Sequence, residues 1–223
     1  MKVTDEHPEI REMTIVHKAF RRDLRRSVEE LTGPAPDAAQ RVAIADHLSW
    51  MMDVLTEHHE SEDHHLFPMV LARDADAAAV IAQMNDDHQA VIPVMAGLAR
   101  AANDYRDNNT DPPTVVAAIE ELCAALLPHL EREEHEMMPI VERVLSAADW
   151  ANWNQEYNIK PHGPWELLMT GCWVIDGLEE PELSVMTKLI PAAPRWIMIN
   201  VIAVAYRRQC RKRWVRGRSP SVR

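Results

Sequence analysis

The chain has 223 residues, 47% of them hydrophobic and only 5% aromatic, with 6 Gly and a formal net charge of −11. That is room for one domain of about 150 residues plus an extension, and the surplus of Ala, Leu, Met, Glu and Arg favours helices over a sheet protein. Eight Lys and Arg and no acid lie in 206–223, so residues 1–205 carry −19, an acidic body that repels nucleic acid and leaves any polyanion contact to the tail.

In chain order, Asp5, Glu6 and Glu9 stand where a signal peptide would have a basic start and an apolar run, so a soluble, cytoplasmic protein is expected. A first helical segment from residue 8 carries His17 on its apolar stripe, between Met13 and Phe20. After TGPAPD (32–37), a second and longer segment places Leu48, Met51, Leu55, His58, Glu62, Leu66 and Met69 on one stripe. RDADA (73–77) leads to a third, with His88 between Met84 and Val91. NDYRDNNTDPP (103–113) leads to a fourth, whose stripe reads Ile119, Leu122, Leu126, His129, Glu133, Met137 and Ile140. Spacings of three and four make each an amphipathic helix.

An extension follows over 147–223, with helices predicted at 149–156, 165–178, 181–189 and from 194 to about 214. Its tryptophans, Trp150, Trp153, Trp165, Trp173 and Trp196, point to packing among these helices or on the bundle. The apolar run 196–206, broken by Asn200, is shorter than the roughly 20 residues a bilayer needs. With the basic residues after it, this end could lie on an acidic membrane surface, contact a protein, or dock with its charges in solvent. Cys123, Cys172 and Cys210 are widely spaced and form no CxxC, which argues against disulfides or a thiolate metal site.

HHESEDHHLFPMV (58–70) and HLEREEHEMMPIV (129–141) each read His, three residues, Glu, five residues, Pro, at an offset of 71. A further His stands 41 residues before each, at His17 and His88, again 71 apart. Two helical hairpins on one plan predict an all-α, up-down four-helix bundle over 8–146 with a rough two-fold axis. His58 with Glu62 and His59 with Asp63 both fit one helix face. Only the former pair is matched, by His129 and Glu133, so His58 and Glu62 are taken as the inward pair.

Two carboxylates and four imidazoles at one level of a bundle interior, with no inward Lys or Arg, require a positive charge, because an unpartnered buried carboxylate costs several kcal/mol. The expected site is therefore a metal centre of His17, His58, Glu62, His88, His129 and Glu133, with the glutamates able to bridge two ions. Its donors suit non-haem iron; manganese or zinc are alternatives. Asp63 and Glu134 recur at the offset and either orient ligand imidazoles or face solvent. His64 and His65 read as surface or supporting residues, and His47 and His65 are too far along the axis to reach the same metal. Pro93 and Pro128 either kink their helices or are tolerated.

This arrangement resembles the hemerythrin-like (HHE cation-binding) family over roughly 8–146, HHESEDHHLFP being close to a family signature. The resemblance implies an oxo- or carboxylate-bridged di-iron centre, with His17, His58, Glu62, His88 and His129 matching family ligands. Oxygen-carrying hemerythrins have a second third-helix histidine where this chain has Ile92, and an aspartate five residues after the last histidine where this chain has Glu133 after four. A missing histidine leaves an open position, which His7 or His162 could fill, and the pattern looks more like the actinobacterial hemerythrin-like group, associated with peroxide or nitric oxide chemistry. The expected function is activation of a small oxidant, hydrogen peroxide before oxygen, in a catalase-like reaction. The alternative is an oxygen, nitric oxide or iron sensor or store signalling through the C-terminal helices.

Overall fold

The computed structural model describes residues 8–216; His7, Arg218 and Arg223 lie outside the described residues. Helix α1 is Pro8–Leu31, α2 spans 38–71, α3 is Ala78–Arg106 and α4 is Pro112–Val144. Helices α5 (147–159), α6 (Pro164–Ile175), α7 (Glu182–Leu189) and α8 (192–213) form the extension, and no strand occurs among the described residues. The starts follow capping chemistry. Asp37 accepts from the Gln40 amide at α2, and Asp111 from the Thr114 amide at α4, ahead of prolines in the first turn. Ser146 and Asp149 form a reciprocal capping box at α5. Each satisfies backbone donors that a helix start leaves orphaned, contributing about 1 kcal/mol. The α3–α4 loop is shorter than the composition of 103–113 suggested, turning at Asn108 with φ 63°. Helices α3 and α4 continue through Pro93 and Pro128.

Helix α2 packs on α3, α3 on α4 and α4 on α1, while the extension lies along the α1/α2 side, α6 against α1 and α8 against α2. Trp173 of α6 is the wedge. Its ring meets Phe20 of α1 at 5.0 Å and Trp50 of α2 at 5.1 Å, both edge to face. The extension therefore completes the same hydrophobic core, with Met198, Ile202, Tyr206 and Cys210 of α8 buried in it. Trp196, Ile197, Val201 and Val204 remain on the outer face of α8. Helix α4 is long and apolar enough to cross a membrane by composition, but Val115, Ile119, Leu122 and Leu126 along it are buried in this core.

Two apolar clusters sit one beyond the other along the bundle. The larger contains Phe20, Leu24, Leu48, Leu55, Val91 and Leu126; the smaller contains Met13, Leu66, Met84 and Met137. On each of the four helices a polar residue separates them: His17 on α1, His58 and Glu62 on α2, His88 on α3, His129 and Glu133 on α4. Burial of each large apolar side chain stabilises by about 1.5–3 kcal/mol. The polar slab between the clusters opposes that.

Candidate metal centre

All six expected site residues reach this slab. They sort into two groups. The donor atoms of His17, His58 and Glu133 lie within 4.8 Å of one another, and so do those of His59, His88 and His129. Glu62 reaches both groups, with Oε1 3.3 Å from His58 Nε2 and Oε2 3.7 Å from His88 Nε2. Glu133 does likewise, its Oε2 lying 3.3 Å from His17 Nε2 and 3.9 Å from His129 Nε2. Two carboxylates that each face two imidazole groups have the layout of bridging ligands.

His59 corrects the sequence reading, which set it aside in favour of His58. It is buried, stacked on His88 at 4.0 Å with planes 12° apart, and edge-on to His129 at 5.2 Å. Consecutive positions on α2 point about 100° apart, so His58 turns to His17 on α1 while His59 turns to α3. The counterpart of His59 at the repeat offset, Leu130, is also buried; that inward position was the available signal. Ile92 stands where the resemblance would place a further histidine. It is 52% exposed, because Val91 and Met95 take the inward positions after His88.

The backbone changes register at the site. In both halves the α-helix widens into a π-helical turn starting at the glutamate, over Glu62–Leu66 and Glu133–Met137. Such turns concentrate at functional sites. Pro68 and Pro139 follow at the same offset; each lacks a backbone donor and crowds the preceding turn, and the widened turn accommodates them. The ring N–H of His64 donates to the Glu60 carbonyl at 2.9 Å, and that of His135 to the Glu131 carbonyl at 2.7 Å. These two exposed histidines thus support the widened turns. His65 stacks on Tyr157 at 3.5 Å, and His162 lies between Glu57 and Glu166, so neither joins the slab.

Asp63 and Glu134 orient imidazoles across the two-fold. His17 Nδ1 donates to Glu134 at 2.8 Å and His88 Nδ1 to Asp63 at 2.7 Å, which leaves each Nε2 lone pair pointing inward. Glu134 is held in turn by Arg21 at 2.7 Å. Asp87, bonded to Arg132, lies 3.8 Å from His129 Nδ1.

The electrostatics fit a cation. Burial, with His17 adding to it, lowers the His58 pKa to about 3; burial takes His129 to about 4 and, with His88, takes His59 well below its ordinary value. All three are neutral at pH 7, the form that binds metal. Burial and the adjacent Glu133 carboxylate push Glu62 well above the usual range. Against its own burial, Glu133 is held below that range by His17. Burial opposes charge on His17, but Glu133 and Glu134 outweigh it and raise its pKa. Even so, both oxygens of Glu62 and of Glu133, and the Nε2 atoms of His59, His88 and His129, have no hydrogen-bond partner from the protein. Orphaned buried acceptors of this kind cost about 1–3 kcal/mol each, more when charged. Five imidazoles, among them His17 and His58 with their Nε2 atoms 3.3 Å apart, converge with two carboxylates on one slab, a donor set that can hold metal cations.

Residues 8–144 match the family model described as the Hemerythrin HHE cation binding domain. No curated protein and no solved structure matches the chain.

Proposed function

Because the chain belongs to the hemerythrin HHE cation-binding family, we propose that it is a two-iron protein that binds and activates a small oxidant, hydrogen peroxide first and oxygen second. In this reading His17 and His58 would hold one iron, His59, His88 and His129 the other, and Glu62 and Glu133 would be shared between them. The observation that carries it is the set of buried, unpartnered acceptors facing one another across the slab. Bound iron supplies redox equivalents and Lewis acidity. The chain does the rest. Glu134 and Asp63 hold the Nδ1 protons of His17 and His88 so that both rings present Nε2. Glu62, whose protonated form burial and Glu133 favour, would have to release that proton to serve as a ligand, and the apolar clusters on either side shield the slab. Manganese or zinc in the same donors would give a different chemistry, so metal identity is part of the test. Iron-loaded protein should evolve oxygen from peroxide. An iron-loaded chain without that activity ends the catalase-like version and leaves the centre itself standing.

A sensing role has one observation in its favour. Trp153 of the extension donates to the Ser61 carbonyl at 3.3 Å, where the widened turn that carries Glu62 begins. This reading predicts tight, reversible ligand binding with slow turnover, and altered hydrogen exchange in α5 when the metal state changes.

A further inference from the structure

Helices α5 and α6 and the α1/α2 side of the bundle line a cavity of about 180 Å³ that reaches His58 and opens to solvent at the half-exposed Glu57 and Glu166. The His58 side chain is 12% exposed, whereas those of His17, Glu62, His88, His129 and Glu133 are at most 1% exposed. The extension thus builds a chamber against the accessible edge of the candidate centre. An apolar cavity of about 150 Å³ accommodates benzene, so the space exceeds what peroxide or oxygen requires.

The lining specifies the occupant. Glu12, Glu57 and Glu166 contribute carboxylates, and no Lys or Arg lines the cavity. Trp150, Trp153 and Trp173 spend their N–H groups on the protein, on Glu12 at 3.1 Å, the Ser61 carbonyl at 3.3 Å and Asp23 at 3.0 Å. What the indoles offer the cavity is carbon surface and ring electrons, which attract cations. Asn154, Asn158, Thr170 and His162 also line the cavity, with His162 3.8 Å from Glu57 and 3.4 Å from Glu166. Three carboxylates and aromatic walls with no Lys or Arg favour a cation with an apolar body over an anion.

We propose that this cavity binds a small protonated organic amine, of about the size of benzylamine, with its ammonium on Glu57 and Glu166 and its body among Val16, Val54 and Trp173, beside His58. The cavity and its charge stand without any metal; only the amine's role as a substrate or effector of the centre rests on the two-iron reading.

Calorimetric titration of the full-length, iron-loaded chain tests the proposal with three probes of one shape, benzylamine, benzyl alcohol and benzoate. Benzylamine should bind saturably, at least tenfold tighter than benzyl alcohol, with benzoate undetected. Glu57→Gln and Glu166→Gln should each weaken benzylamine about tenfold without changing cavity size, and Thr170→Phe, which fills the chamber, should abolish binding. No saturable benzylamine binding at millimolar concentration, equal binding of the alcohol or benzoate, or an unchanged affinity in all three variants would overturn it. Repeating the titration on chelated protein separates the two readings. A chain that takes up no iron refutes the centre, and saturable benzylamine binding to that chain or to the chelated protein keeps the amine site.

Discussion

Around Asp23 both carboxylate oxygens accept hydrogen bonds from the protein, whereas none of the four carboxylate oxygens of Glu62 and Glu133 does. Both regions lie inside the same bundle and both carboxyl sets are fully buried. Asp23 accepts from Arg22 at 2.7 Å and Arg26 at 3.2 Å on one oxygen, and from His47 at 2.8 Å and Trp173 at 3.0 Å on the other. Arg26 continues to Asp176 at 2.7 Å, which also accepts from Tyr206 at 3.2 Å. This network clasps the extension to the bundle. The slab residues have equal burial and no such closure, although Asp63, Glu134 and the widened turns fix their geometry. The clasp leaves Arg22 Nη2, His47 Nδ1 and Asp176 Oδ1 without a hydrogen bond, but the slab leaves every oxygen of two carboxylates and three imidazole Nε2 atoms so, the arrangement expected of a cation site.

The contrast can be broken at several points. The largest effect is expected at the clasp. Asp23→Ala removes the acceptor shared by His47 and Trp173 and leaves Arg22 and Arg26 only their bonds to Asp176, and it should destabilise by about 3–5 kcal/mol in chemical denaturation, with the metal content of the folded fraction unchanged. Acid should open the same clasp. Burial and Arg213 lower the His47 pKa to about 4, below its unfolded value of about 6.5. Between these values the unfolded chain binds the proton and the folded one does not, so stability is full above about pH 6.5 and falls as pH drops to 4. Asp23, held below the usual carboxylate range by His47 and Arg22 against its burial, adds a further loss below about pH 4. Denaturant midpoints at pH 7 and pH 4.5 measure this, and His47→Gln should flatten the first part of the slope.

Smaller effects belong to the slab. Glu134→Ala and Asp63→Ala free the imidazoles they orient and should each weaken metal affinity about 10–100-fold, read by competition with a chelator. Glu62→Leu should raise the stability of the metal-free chain by about 1–2 kcal/mol, since replacing an unpartnered buried carboxyl by a well-packed apolar group is neutral or favourable. The same substitution should remove metal binding. A metal-free chain destabilised by Glu62→Leu as strongly as by Asp23→Ala would erase the distinction between the regions.

Periodicity and the 71-residue offset made the bundle and the six expected slab residues legible, because both depend on spacing within a helix. His59 escaped because its counterpart at the 71-residue offset is Leu130, which is buried but offers no ligand atom. The widened turns were written only in Pro68 and Pro139, whose shared position signals a backbone accommodation without naming it. The clasp joins Asp23 to His47, Trp173 and, through Arg26, Asp176; pairs so far apart in the chain leave no local pattern. Helix positions in the extension were readable, but not that Trp173 would wedge between Phe20 and Trp50, nor that the extension would wall a cavity against His58.

The central claim is that the inward imidazoles and carboxylates of 17, 58, 59, 62, 88, 129 and 133 are held for cations. Metal analysis of aerobically purified protein, beside His58→Ala and Glu133→Ala variants, tests it most directly. The account predicts about two iron ions per chain in the parent and a marked loss in both variants. Trace metal in the parent, or full metal content in both variants, would contradict it.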